Sequence, residues 1–154
     1  MTATSNLLMR EPMPFSIRIA YWPDDQDLLR QVRKTVFIQE QQVPEALEWD
    51  GMDDTAMHLL ALDETGRPIG TARLLPSGQI GRMAVLPTWR RRGVGTALLQ
   101  RLLEQTTKGV WPELFLNAQL SAVPFYTRQG FSAQGKVFHE AGIPHRRMTR
   151  NPDK

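Results

Sequence analysis

Apolar positions recur along this chain with two different periods, and the change from one to the other lays out the fold. Across residues 15–22, Phe15, Ile17 and Ile19 alternate with Ser16 and Arg18, which predicts a first strand. Pro23-Asp24-Asp25 opens a helix, with carboxylates in the first turn where the helix dipole favours them. Leu28, Val32 and Val36 repeat every fourth residue with Leu29 and Phe37 alongside, so this helix has a buried stripe; it reaches about Glu40 and stops by Pro44. Residues 45–55 are acidic, contain Gly51 and have no period, so a loop is expected. Residues 57–62 and 69–75 read as a hairpin turned by Glu64-Thr65-Gly66-Arg67, and Pro76-Ser77-Gly78 leads into a further strand around Met83, Ala84 and Val85. A helix follows with Val94, Leu98 and Leu102 on one stripe and Leu99 and Leu103 beside it. Residues 113–118 form a strand with Leu114 and Leu116 inward, and residues 121–129 a short helix that contains Pro124 and is closed by Gly130. A last pair of strands, 131–138 and 145–150, is joined through residues 140–144. The order is β-α-β-β-β-α-β-α-β-β, an α/β chain of α+β type with a mixed, mostly antiparallel sheet flanked by helices. Residues 1–14 show no period and are expected as a flexible tail, leaving 15–150 as one domain.

The densest chemistry lies between the strand at Met83 and the helix at Val94. Pro87 stops the strand, Arg90, Arg91 and Arg92 crowd the turn, and Gly93-Val94-Gly95 opens the helix. A helix N-terminus carries partial positive charge and unpaired N–H groups, so three arginines there oppose the usual preference unless an anion sits among them. The two glycines remove side chains where a ligand would need to approach the backbone. The pattern suits a phosphate or pyrophosphate site; it also suits a solvated basic turn whose glycines serve backbone geometry.

Composition narrows the choice. A chain of 154 residues with 41% apolar and 23% charged content suits one soluble globular domain. Its net charge of +3 is compatible with an anionic ligand but argues against nucleic acid, since the charge is not spread along a basic face. The absence of cysteine excludes disulfides, thiolate zinc sites and a cysteine acyl-enzyme. The three histidines lack metal-ligand spacing, so no metal is expected. With no membrane-spanning stretch and no signal-peptide core, the expectation is a cytoplasmic protein without a membrane partner.

Two motifs now bear on function. Arg90-x-x-Gly93-x-Gly95, placed after the fourth strand, resembles the Q/R-x-x-G-x-G/A pyrophosphate loop of the GNAT superfamily of acetyl-CoA-dependent N-acyltransferases. Residues 122–131 (AVPFYTRQGF) are similar to that family's A-x-x-F-Y-x-x-x-G-F segment. Residues 32–41 (VRKTVFIQEQ), 49–54 (WDGMDD) and 138–145 (FHEAGIPH) resemble the ElaA-like branch, a match that runs from the first helix to Met148. The resemblance implies a GNAT-like fold and acetyl-CoA as acyl-donor cosubstrate. It implies that backbone groups of Met83, Ala84 and Val85 meet the pantetheine arm. Amides of Arg91, Arg92, Gly93, Val94, Gly95 and Thr96 would hold the pyrophosphate, with Arg90 in the Q/R position. A backbone N–H near Val85 would polarise the thioester carbonyl. Tyr126 falls where the family places the tyrosine beside the CoA sulfur, as acid for the departing thiolate; the alternative is a packed aromatic with one satisfied hydroxyl. Asn117 would bond the pantetheine amides or cap the following turn.

The proton of the amine has several candidate acceptors: Glu40, Glu48, Asp50, Glu140, His58 and His145. Glu40 ends the first helix, where family members place the acceptor, and His145 follows Gly-Ile-Pro, so the catalytic set expected is Tyr126, Glu40 and His145. Without cysteine, the reading is direct transfer in a ternary complex to a primary amine of a small molecule or peptide. A non-catalytic acyl-CoA-binding regulatory module is the alternative. Arg33, one step off the buried stripe, is read as pairing with the acidic 49–54 loop and closing a wall of the acceptor pocket, rather than snorkelling over the core edge. The loop is a candidate attractor for a cationic amine or a solvated turn. Monomer and homodimer both remain open, the latter through edge strands or the C-terminal hairpin.

Overall fold

A computed structural model gives the fold of residues 14–107 and 111–152; the expected tail, apart from Pro14, lies outside the described residues. Strand β1 (Phe15–Ala20) passes through Tyr21 into helix α1 (Trp22–Arg33). Trp22 therefore belongs to the helix rather than to the strand. Pro23 fits the first helical turn, and the Asp25 carboxylate accepts the Tyr21 N–H at 2.9 Å while gripping Arg18 with both oxygens. Beyond Arg33 the helix widens: across Lys34–Glu40 the bonds span five residues, as in Gln41 N–H to Val36 O at 3.0 Å. The stretch expected as a loop contains a single-turn helix α2 (Glu45–Glu48) and a tight turn at Asp53–Thr55. Strands β2 (Met57–Asp63), β3 (Pro68–Leu74) and β4 (Ile80–Val85) then lead into helix α3 (Val94–Thr106). The chain ends with β5 (Leu114–Gln119), α4 (Val123–Arg128), β6 (Ser132–Glu140) and β7 (Ile143–Arg150). Apart from α2, this is the order the periodicity predicts. Among the described residues no helix is long and apolar enough to cross a membrane.

The strands form two antiparallel sheets, β1-β2-β3-β4 and β5-β7-β6. They meet at one parallel bridge, Gln79 to Phe115, where the Phe115 N–H donates to Gly78 O at 3.1 Å. At this junction Gly78 has φ +93° and its missing Cβ would lie 2.8 Å from Glu113 O, so the chains approach this closely only over a glycine. Above the bridge β4 and β5 part. The register of β4 against β3 slips so that Ala72 faces both Arg82 and Met83, a bulge with Arg82 at φ +49°, held by the Thr71 hydroxyl donating to Arg82 O at 2.8 Å.

Helix α3 packs across both sheets. Val94, Leu98, Leu99 and Leu102 are buried with Leu59 and Leu74 of one sheet and Leu116 and Met148 of the other. Gly70 permits that contact, its absent Cβ falling 3.1 Å from Val94 and Leu98 side chains. Helix α1 covers the opposite face of the first sheet, placing Leu29 against Leu60, and Val32 and Val36 against Ala84. Burial of the four-stranded sheet on both faces explains the uninterrupted apolar run Leu59-Leu60-Ala61, which alternation alone would not give.

The junction glycine yields a stability prediction. Gly78→Ala meets backbone at 2.8 Å in a left-handed conformation, so urea unfolding should show a loss of about 1–3 kcal/mol. Gly95→Ala, where a Cβ finds only ordinary contacts at 3.7 Å and beyond, should leave the unfolding midpoint nearly unchanged.

Candidate active site

The divergence of β4 and β5 opens a cleft of about 730 Å³. Met83, Ala84 and Val85 line it from β4, and Asn117 and Ala118 from β5. Phe125 and Tyr126 of α4 close it near the start of α3, while Phe37, Leu47 and Met52 line it at the end of α1 and in the acidic loop. The widened turn of α1 brings Phe37 and Gln41 into this lining, and Gln41 accepts the Gln119 amide at 2.9 Å across the cleft.

At the start of α3, Arg91 (φ +62°) and Gly93 (φ +85°) turn the backbone, and no side chain caps the helix. The first intrahelical bond runs from Ala97 N–H to Gly93 O at 3.0 Å, which leaves the N–H groups of Val94, Gly95 and Thr96 without a helical partner. Uncapped donors with no acidic residue in the first turn leave this helix end free of the negative charge that usually satisfies it. The three arginines behave differently. Arg90 donates Nε–H to Val85 O at 2.9 Å and both terminal nitrogens to Glu40 at 2.6 and 2.7 Å, tying the end of β4 to the end of α1. Arg92 donates to Thr88 O at 3.1 Å, and the Arg91 side chain has no partner among the described residues.

Tyr126 is buried, edge-on to Phe125 and Phe131 at centroid distances of 5.0 and 5.9 Å. Burial alone pushes its hydroxyl well above the ordinary tyrosine range, so it is fully protonated at neutral pH. Also in the lining, the tight β6–β7 turn sets Glu140 near His145. The His145 Nδ1 lies 2.6 Å from Ile143 O, which makes Nδ1 the protonated nitrogen of the neutral ring and leaves Nε2 as acceptor, 3.8 Å from Glu140. Phe138 stacks on the ring, and Asn117 donates to Glu140 at 3.2 Å.

The other proton-acceptor candidates are placed less favourably. Glu40 lies outside the cleft lining, and its hydrogen bonds from Arg90 lower its pKa, which weakens it as a base. His58 is buried against Trp22 with Nε2 2.9 Å from Asp53 O, and burial lowers its pKa. Glu48 and Asp50 do line the cleft, but inside an ion network.

That network joins Arg33, Arg73 and Arg82 to Glu48, Asp50 and Asp53, so its formal charges cancel. Arg33 is fully buried, with Nε 2.8 Å from Glu48 and Nη1 2.8 Å from Asp53, and the Trp49 ring 5.2 Å away. The pairing expected of Arg33 is present, but Arg33 is not among the lining residues, so it closes no wall of the pocket itself. Arg73 grips Asp50 at 2.9 and 3.0 Å and reaches Asp53 at 3.1 Å. Arg82 bonds Asp50 at 3.1 Å and Glu48 O at 2.9 Å; its Nε is 3.0 Å from Glu48 in an ion contact without hydrogen-bond geometry. Burial raises the Glu48 pKa despite its arginines. Burial also acts to raise that of Asp50, but the Arg73 hydrogen bond, the Met52 N–H and the nearby guanidinium charges bring it down to about 2. The sequence reading did not single out Arg73 or Arg82; the available signal is a cation in mid-strand among buried positions, with acids from a loop at hand.

The domain profile described as an acetyltransferase (GNAT) domain matches residues 24–151, and the chain belongs to this family of acyl-CoA-dependent N-acyltransferases. The uncharacterized N-acetyltransferase YjcF of Bacillus subtilis is 35% identical over 124 residues, covering 78% of this chain and 88% of YjcF. Protein ElaA of Escherichia coli is 33% identical over 131 residues, covering 79% of this chain and 84% of ElaA. The crystal structure of E. coli ElaA matches with a TM-score of 0.79 at 30% identity, covering 90% of this chain and 100% of that one. An acyl-CoA N-acyltransferase from Pseudomonas aeruginosa matches with a TM-score of 0.77 at 30% identity, covering 89% and 99%.

Two predictions follow from the network. Arg33→Met leaves three acids to two arginines in a buried network and removes the closest cation from both Glu48 and Asp53, and chemical denaturation should show a loss of about 3–5 kcal/mol. Asp50 has a folded-state pKa below its unfolded value, so its contribution is present above about pH 4 and disappears as pH falls through about 2. Glu48 has the opposite sign, its raised pKa favouring the folded state as it protonates. Asp50→Asn should therefore flatten the acid limb of the stability–pH curve by about 1–2 kcal/mol between about pH 4 and pH 2.

Proposed function

We propose that this protein transfers an acetyl group from acetyl-CoA to a primary amine of a small molecule or peptide, directly within a ternary complex. The observation that carries the reading is the cleft between the parted strands, which has an uncapped helix start near one end and a buried, protonated tyrosine in its lining. The N–H groups of Val94, Gly95 and Thr96, continued by the turn at Arg91, Arg92 and Gly93, receive the pyrophosphate of the donor. Arg91 and Arg92 supply charge at the outer phosphates, while Arg90, committed to Glu40 and Val85, fixes the end of β4. The edge of β4 at Met83, Ala84 and Val85, no longer paired once β5 has diverged, offers backbone groups to the pantetheine and thioester carbonyl.

In the transfer, the amine nitrogen forms a bond to the acyl carbon as the carbon–sulfur bond breaks. His145, with Nδ1 directed to Ile143 O, accepts the amine proton at Nε2, and Glu140 beside it stabilises the resulting imidazolium. Tyr126, protonated at neutral pH, gives its proton to the departing thiolate. Glu40 serves by holding Arg90, and Asn117 by holding Glu140. The chain has no cysteine to form an acyl-enzyme, in keeping with direct transfer.

Calorimetric titration should show micromolar acetyl-CoA binding. Gly93→Val, which forces a branched residue to φ +85°, should weaken it at least about tenfold. Tyr126→Phe should retain donor affinity while kcat falls on the order of 10²-fold. Unchanged turnover in that variant would remove Tyr126 from the mechanism, and donor binding with no thiol release from any amine would favour a regulatory module.

A further inference from the structure

The lining of the cleft carries information about its second substrate. Its carboxylates are Glu48, Asp50 and Glu140. Glu48 and Asp50 are already matched by Arg33, Arg73 and Arg82. Glu140 differs: its side chain is 55% exposed, and the contacts its carboxylate makes are the Asn117 amide at 3.2 Å and His145 at 3.8 Å. No arginine or lysine pairs with it among the described residues. The cations of the lining are equally committed, Arg73 and Arg82 to the acidic loop and Arg90 to Glu40. The cleft thus offers one unneutralised anionic group, beside the imidazole that would take a proton, and no unneutralised arginine.

Beside the matched ion network, the lining is in part apolar. Leu47 and Met52 remain 55% and 50% exposed, and both line the cleft together with Phe37, Val43, Leu75 and Ile143. Leu47 precedes Glu48, and Met52 lies between Asp50 and Asp53, so the ion network fixes the backbone on which these side chains stand. Two large apolar groups held at a cleft edge favour a ligand that removes them from water.

We infer that the acceptor is a monoamine with an apolar body, an alkyl or arylalkyl amine whose single ammonium is received by Glu140, rather than a polyamine or a free amino acid. A second ammonium would be desolvated against Leu47 and Met52 with no carboxylate left to meet it, and an α-carboxylate would meet Glu140 with no free cation nearby. This inference rests on the acyl-transfer reading above.

The test is thiol release from acetyl-CoA by the full-length protein with matched amines: phenethylamine against phenylalanine, which adds a carboxylate, and pentylamine against cadaverine, which adds a second ammonium. Each apolar monoamine should exceed its partner in kcat/KM by at least about tenfold. Glu140→Gln should raise the KM for pentylamine by about tenfold while the calorimetric affinity for acetyl-CoA stays unchanged. Met52→Glu, which adds a second carboxylate beyond those matched by Arg33, Arg73 and Arg82, should narrow the gap between pentylamine and cadaverine. Equal or reversed rankings, or donor binding with no turnover of either monoamine, would overturn the inference while leaving the donor site standing. Failure of the wild-type protein to bind acetyl-CoA would bring down the acyl-transfer reading and this inference with it.

Discussion

Six ionic side chains, four of them buried and two at the cleft edge, must cancel one another's charge, and the position of the acidic loop depends on that requirement. A fully buried arginine is tolerable only with its hydrogen bonds made to acids, and Arg33 obtains them from Glu48 and Asp53. Leu47 and Met52 of the stretch that supplies those acids stay half exposed, so the loop docks on the sheet mainly through charge, with Trp49 lying over the Arg30 and Arg33 guanidinium groups. Arg82 carries the constraint into β4. Its side chain is held by Glu48 and Asp50 at the residue where the strand bulges, so loop and bulge are parts of one electrostatic unit.

The second organising feature is that the strands do not make one continuous sheet. A glycine at position 78 lets β4 and β5 touch at their base, the bulge bends β4, and helix α3 lies across both sheets. The space left between the strands is bordered by unpaired backbone and opens near the uncapped end of that same helix. One helix therefore provides both the core on which the two sheets rest and the uncapped end that borders the cleft.

Much of this was legible in the sequence because it rests on local pattern. The stripe Val94, Leu98, Leu102 and the paired glycines at 93 and 95 mark the helix and its start without tertiary information, and all the strands appear in the expected order. The expectation of an irregular 45–55 loop missed helix α2 and the tight turn, because a polar segment pinned by distant arginines shows no period. The role of Arg90 was equally hidden. Its tie to Glu40 spans fifty positions, and nothing near either residue in sequence announces the partner. The parting of β4 from β5 depends on a close approach at Gly78 that no periodicity encodes.

The widened segment Lys34–Glu40 has a consequence for how this chain tolerates change in length. A single wide turn contains one residue more than an ordinary helix needs to climb the same distance. Deleting a residue there would let the helix close into regular form at little local cost, so a count of helical hydrogen bonds would register almost no damage. Everything after the deletion would be rotated by about 100° around the axis. Glu40 would turn away from Arg90, and Gln41 from Gln119, while Val32 and the residues before it kept their places. The segment acts as a phase setting between the part of the helix that belongs to the core and the part that belongs to the cleft.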